Sequence, residues 1–295
     1  MTKLYGLGTA LITPFTPEGK VDFPALDRLL DRQLNGQIDY IVVLGTTGEA
    51  VTLSGEEHEQ VRNHIVRRVN GQIPLVLGVG GNCTATVCEK LQTMHDELLE
   101  NYAAILSVCP YYNKPSQEGL FRHFSAVAEA SPVPVILYNV PGRTGVNLLP
   151  ETVMRIYEAH PDKIMGIKEA SGNVEQIKDL ISRKKKVERE KPFLVISGDD
   201  GIACELMEAG AAGLISVASN AFEADFHRIV HEKDAALQAR YANMIRLLFC
   251  EGNPSGIKTV LAKQGVIANA LRLPLVPNSA SVQTEIEEEL IRLNK

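Results

Sequence analysis

Eight short apolar runs punctuate the first 220 residues, beginning near Leu7, Ile41, Leu75, Ala104, Pro134, Ile164, Phe193 and Gly213. They recur at intervals of roughly 30 residues, closing to about 20 at the last step, and a strand, a helix and two short loops occupy about that length. Most of the runs (YIVVLG, PLVLGVG, AAILSVC, PVILYN, FLVISG) are continuously apolar rather than alternating. Parallel strands covered on both faces need that pattern. With no break in composition between units, the repeat predicts an α/β fold, a (β/α)8 TIM barrel over 1–220. A doubly wound parallel sheet is the alternative, which a count of eight disfavours.

The segments between the runs carry helical periodicity. Leu26, Leu29, Leu30 and Leu34 form one stripe from Phe23 to Leu34, with Asp22 placed to cap it. Ser54 followed by Glu57 fits a capping box, and Pro150 opens another helix after Leu149. After about Asn220 the rhythm stops. The pattern reads as helical throughout from Ala221 to Phe249, then near Ile257–Asn269 and Val282–Leu293, so 221–295 is expected to be a C-terminal helical region packed on the barrel.

Composition removes several function classes. Thirty Lys and Arg stand against 36 Asp and Glu, a net charge of −6, which is not the basic footprint of a nucleic-acid surface. No stretch approaches the ~18 apolar residues of a membrane span, and MTKLYGLGTALITPF lacks a signal-peptide layout. Five scattered cysteines without a CxxC read as reduced thiols, so a cytoplasmic location is expected.

In a barrel of this kind the chemistry sits at the carboxyl ends of the strands. There the chain places Gly45-Thr-Thr-Gly-Glu49, Pro110-Tyr-Tyr-Asn113, Tyr138-Asn-Val-Pro-Gly-Arg-Thr-Gly145, Gly166-Ile-Lys-Glu-Ala-Ser-Gly172, Ser197-Gly-Asp-Asp200 and Ser216-Val-Ala-Ser-Asn220. Strand alternation puts Ile164, Gly166 and Lys168 on one face and Met165, Ile167 and Glu169 on the other. Lys168 reads either as a lysine that snorkels to water or pairs with a carboxylate, or as a nucleophilic amine. An ordinary lysine, with a pKa of ~10.4, is neutral about once in 2,500 at pH 7, a handicap of roughly 4.6 kcal/mol that burial reduces.

Tyr138 shares a face with Ile136, so its phenol either enters the mouth or packs in the core. Thr46 and Thr47, between Gly45 and Gly48, present backbone N–H groups just before a helix, either for a carboxylate or as a simple cap. Arg143 is either a solvated loop residue or a planar fork for a second carboxylate. Other constellations fail: HRIVH (His227 to His231) lacks the glutamate of a zincin motif, and Gly78-Val-Gly-Gly-Asn-Cys83 breaks GxGxxG. The run Arg183–Lys186, with Glu188 to Lys191 after it, reads as a solvated helix end.

Taken together, GTTGE, PYYNKPSQEGL, YNVPGRTG, GIKEASG and SGDD, in this order from about Gly6 to Pro277, resemble the dihydrodipicolinate synthase/N-acetylneuraminate lyase family of class I aldolases. The arginine of YNVPGRTG, with GTTGE rather than GSTGE, resembles the synthase branch. The resemblance implies that Lys168 is the Schiff-base lysine that captures pyruvate, with Tyr138 above it. Thr47 is implied as the hydroxyl linked to that tyrosine, and Tyr112 as a second tyrosine reaching into a neighbour's site across a dimer interface. Thr46 and Thr47 would bind the pyruvate carboxylate and Arg143 the carboxylate of aspartate semialdehyde, while Gly198 and Ile215 would line the pocket. Neither metal nor cofactor is implied, because the iminium is the electron sink. A homo-oligomer, a dimer of dimers, is implied instead.

Two alternatives remain. One is a sibling lyase for N-acetylneuraminate or a keto-deoxy sugar acid, against which Arg143 counts. The other is a catalytically silent binding or regulatory barrel, against which the intact set of Lys168, Tyr138, Thr47 and Tyr112 counts. The resemblance also implies a lysine-binding regulatory cleft, with Tyr111, Asn82 and His58 matching its pattern. Ala50, Gly55 and Thr86 depart from it, and Glu89 stands near enough to substitute in part. Weak or absent inhibition by lysine is expected.

Overall fold

Each apolar run becomes a strand: β1 (Gly6–Ala10), β2 (Tyr40–Val43), β3 (Leu75–Gly78), β4 (Ala104–Val108), β5 (Val135–Asn139), β6 (Ile164–Glu169), β7 (Leu194–Ser197) and β8 (Gly213–Ser216). In the computed structural model, which describes residues 4–187 and 192–294, these strands close into a barrel in sequence order. The assigned strand pairs are parallel. A doubly wound sheet would leave two free edges, so closure decides between the two expected folds. Every residue of β1, β2, β5, β7 and β8 is buried, as continuously apolar runs require.

The contacts divide the chain into two compact units. One holds Pro74–Ile215 and so carries β3 to β7 and nearly all of β8. Its helices are Thr84–Thr93, His95–Asn101, Gln117–Ala130, Pro141–Thr144, Pro150–Ala159, Val174–Val187 and Ala203–Ala209. In Val174–Val187, Arg183 pairs with Asp179 and Glu151. Residues 188–191 of the expected charged helix end lie outside the described residues.

The other unit joins Gly6–Ile73 with the chain from Ser216 onward, bringing β1 and β2 together with the helices Phe23–Asn35, Gly55–Val69, Glu223–His231, Ala235–Phe249, Ser255–Lys263 and Ala280–Leu293. The caps read from the sequence are present. Asp22 Oδ1 accepts from the Ala25 amide at 3.0 Å, and Ser54 and Glu57 bond each other's backbone amides.

Two helical boundaries differ from expectation. The stretch 221–249 is not continuous: Lys233 takes a left-handed φ of 56°, and the Asp234 carboxylate starts a second helix by accepting from the Leu237 amide. The helix expected to reach Asn269 stops at Lys263. Gly265 at φ 74° lets the Gly265 and Val266 amides donate back to Ala262 and Leu261, a Schellman closure that apolar periodicity does not reveal. Among the described residues no helix is long and apolar enough to cross a membrane.

Candidate active site

Lys168 is set by the register of two strands. Tyr138 on β5 is paired with Lys168 on β6, so both side chains project from the same face. Glu169, one residue on, bonds Gln176 of the helix Val174–Val187, which makes its face the helix side and Lys168's the barrel interior. There the Lys168 ammonium lies 4.5 Å from the centroid of the Tyr138 ring and is 6% exposed. No carboxylate of a described residue forms an ion pair with it.

Space for that side chain depends on Gly198, immediately after β7. A Cβ there would stand 2.9 Å from Lys168 Cε and 2.6 Å from Ala170 Cβ. Glycine thus answers a close approach of the lysine stem, while the Gly198 amide donates to the Glu169 carbonyl at 2.7 Å. Ile215 is buried in β8.

The back of β6 carries a polar network that sequence reasoning missed. The fully buried Glu169 carboxylate accepts from Asn139 Nδ2 at 2.9 Å, Gln176 Nε2 at 3.0 Å and the Ser171 amide at 2.8 Å. Burial raises the Glu169 pKa and these hydrogen bonds oppose the shift. Asn139 also donates to Asn147 Oδ1 and accepts from the Leu148 amide, so both ends of the loop that carries Arg143 are tied to β6. Arg143 itself is exposed in the short helix Pro141–Thr144.

Tyr112 is 88% exposed and adopts φ 74°. A bulky side chain in the left-handed region costs about 1–3 kcal/mol. The Tyr112 amide donates to the Thr144 carbonyl at 3.3 Å and Asn113 Nδ2 donates to the Asn82 carbonyl at 2.9 Å. These bonds link the strand-end loops after β3, β4 and β5 and fix where Tyr111, Tyr112 and Asn82 stand.

In the second unit, Gly45-Thr-Thr-Gly-Glu49 folds as one tight turn over Thr46–Gly48. The Gly48 and Glu49 amides close it onto the carbonyls of Gly45 and Thr46. The next α-helix does not follow at once, because a second turn, Ala50–Thr52, intervenes. Thr46 is exposed and Thr47 buried. Thr47 Oγ1 accepts from Asn253 Nδ2 at 3.0 Å.

Glu49, at φ 50°, is fully buried and forms an ion pair with the fully buried Lys258; its other oxygen accepts from the Arg272 amide at 3.2 Å. Burial pushes the Lys258 ammonium down to about 8, against the opposing pull of Glu49. Arg272 grips Glu57 with two nitrogens, at 2.7 and 2.5 Å, which holds that carboxyl down at about 2. His58 Nε2 contacts the Ala50 carbonyl at 2.8 Å. Neither Asn253 nor Lys258 carried a sequence signal.

His231 of the HRIVH pair bonds Asp39 at 2.7 Å and stacks on His227.

The dihydrodipicolinate synthetase family model matches residues 3–292. A 4-hydroxy-tetrahydrodipicolinate synthase of Parabacteroides distasonis is 48% identical over 99% of this chain and 97% of its own length. Among solved structures, a chloride-inhibited dihydrodipicolinate synthase of Acinetobacter baumannii in complex with pyruvate is 39% identical at a TM-score of 0.92, covering 99% of both chains. A monomeric dihydrodipicolinate synthase variant is 37% identical at a TM-score of 0.92, covering 98% of this chain and 97% of its own.

Proposed function

This chain belongs to the dihydrodipicolinate synthetase family, and from that premise we propose that it is a lyase of the class I aldolase type. It condenses pyruvate with L-aspartate 4-semialdehyde to 4-hydroxy-tetrahydrodipicolinate, a step of lysine and diaminopimelate biosynthesis in the cytoplasm. The observation that carries this reading is Lys168, a buried amine without a carboxylate partner among the described residues, stacked on Tyr138.

Lys168 Nζ attacks the pyruvate ketone and water leaves, giving an imine. The imine loses a methyl proton and becomes an enamine, whose carbon attacks the aldehyde of the semialdehyde. Ring closure by the semialdehyde's amine then expels Lys168 and restores the free enzyme. Each step moves a proton, which suits a chain of hydroxyls rather than one strong acid and one strong base. Tyr138, Thr47 and Tyr112 fill that role in the proposal. Thr46 and Thr47 take the pyruvate carboxylate, Arg143 that of the semialdehyde, and Gly198 and Ile215 shape the pocket.

A homo-oligomer, by resemblance a dimer of dimers, is part of the proposal. Its support is the exposure of Tyr112 and its strained left-handed backbone. Tyr111, Asn82 and His58 are proposed as the remnant of a lysine-binding cleft that responds weakly.

The test is a product assay with three substrate sets: pyruvate plus aspartate semialdehyde, N-acetylneuraminate, and a keto-deoxy sugar acid. Turnover confined to the first is expected. Turnover of either sugar acid alone would replace this reading with that of a sibling lyase, and none with any set would leave a silent binding barrel.

A further inference from the structure

The turn that carries Thr47 is held from the C-terminal helices at two points. Asn253 Nδ2 donates to Thr47 Oγ1 at 3.0 Å, with both residues buried. Lys258, on the helix that follows Asn253, pairs with Glu49 at the other end of the same turn. The gripping segment is itself tied down. Ser255 Oγ donates to the Val276 carbonyl at 2.9 Å, and Thr259 Oγ1 donates to Asn278 Oδ1 at 2.8 Å.

The chemistry of the Asn253 bond has a direction. A hydroxyl carries one proton and two acceptor lone pairs, and a carboxamide nitrogen only donates. The bond from Asn253 therefore occupies one lone pair of Thr47 and never takes its proton. One lone pair and the proton are left to serve other partners at the same time. A group that passes a proton along a chain needs that arrangement, accepting from one side while donating to the other.

We propose that Asn253 is a positioning residue that sets the sense of proton transfer through Thr47. The inference rests on the relay role given to Thr47 under the proposed function. A carboxylate in the same place would invert the polarity: it accepts only, so the Thr47 proton would turn toward it and leave the chain.

Asn253→Asp performs that inversion with almost no change of shape. General acid–base groups contribute about 10²–10⁴-fold, so kcat of the Asp variant at pH 8 should fall about 100-fold, with KM for pyruvate within about three-fold of wild type. Its activity relative to wild type should then climb as pH falls, because a protonated carboxyl donates to Thr47 again. A role in holding the turn alone would leave that ratio flat. Asn253→Ala should lose about ten-fold in kcat, and nothing further in a Thr47→Ala background, since coupled residues do not add.

A near-wild-type kcat for Asn253→Asp, a pH-independent ratio, or additive losses in the alanine cycle would each overturn the inference. If the Asp variant does not fold, the alanine cycle decides alone. Wild-type turnover is the control. Its absence overturns the functional reading, and this inference with it, whereas an active wild type with an unaffected Asp variant overturns this inference only.

Discussion

Two lysines of this chain are buried, and both rest on an aromatic face: Lys168 on Tyr138 at 4.5 Å and Lys258 on Phe15 at 4.1 Å. They differ in what faces the ammonium. Lys258 has the Glu49 carboxylate and donates to the Ala270 carbonyl at 3.0 Å. Lys168 has no such ion pair among the described residues. Taking an ammonium out of water costs several kcal/mol. At Lys258 the counter-charge and the carbonyl offset that cost, and the result is a cross-brace between the Gly45–Glu49 turn and the helix Ser255–Lys263. At Lys168 the same cost meets no counter-charge, and the amine is left available to a carbonyl carbon. Burial alone therefore does not mark a nucleophile. Burial without an anionic partner, at a strand's carboxyl end, does.

The sharpest way to break this contrast is to remove each amine. Lys168→Met should lower condensation by about four orders of magnitude, because no other group supplies the nucleophile. Its melting temperature should hold or rise, since no ion pair is broken. Lys258→Met should do the reverse. It leaves Glu49 buried without its counter-charge, a loss of about 3–5 kcal/mol in urea unfolding. Adding Glu49→Leu should recover much of that stability. A Lys258→Met variant as stable as wild type would end the distinction.

The neighbouring Arg272–Glu57 pair sharpens the structural side through pH. The folded carboxyl of Glu57 lies near 2, below its ordinary 4.5, so the unfolded chain binds the extra proton between those values. The pair's contribution is complete above about pH 4.5 and drains away as pH falls toward 2. It amounts to about 2–3 kcal/mol by linkage. Unfolding midpoints from pH 6 down to 2 measure it, and Arg272→Ala should flatten the slope.

Gly198→Ala is the smallest expected effect. Its new Cβ would crowd Lys168 Cε, which has some freedom to shift, so about a ten-fold loss of kcat with little change in stability is expected. Steady-state rates and a thermal melt on the purified variant decide it.

The asymmetry between the two lysines also governs what was legible in the sequence. Lys168, Tyr138 and Gly198 all stand at strand ends, where a period of two and a spacing of roughly 30 residues fix face and end together. The barrel, the caps at Asp22 and Ser54 and the lysine–tyrosine pairing follow from such short-range patterns. Asn253 lies 206 residues from Thr47, and Lys258 is comparably far from Glu49. Partnerships of that range leave no periodicity. Lys258 sits in a stretch whose apolar pattern predicts only a helix, and Glu49 was visible only as the last letter of a turn. The Glu169–Asn139–Gln176 network was hidden for a different reason: alternation assigns Glu169 to a face without saying that polar side chains meet it there.

The central claim, that the unpaired buried lysine and not the paired one is the nucleophile, has a direct test. Pyruvate and borohydride are added together, and the digested protein is mapped by mass spectrometry. A reduced pyruvyl adduct on the peptide containing Lys168, with concurrent loss of activity and none on the peptide containing Lys258, is the predicted result. An adduct on Lys258 or another lysine, or full activity without any adduct, would contradict it.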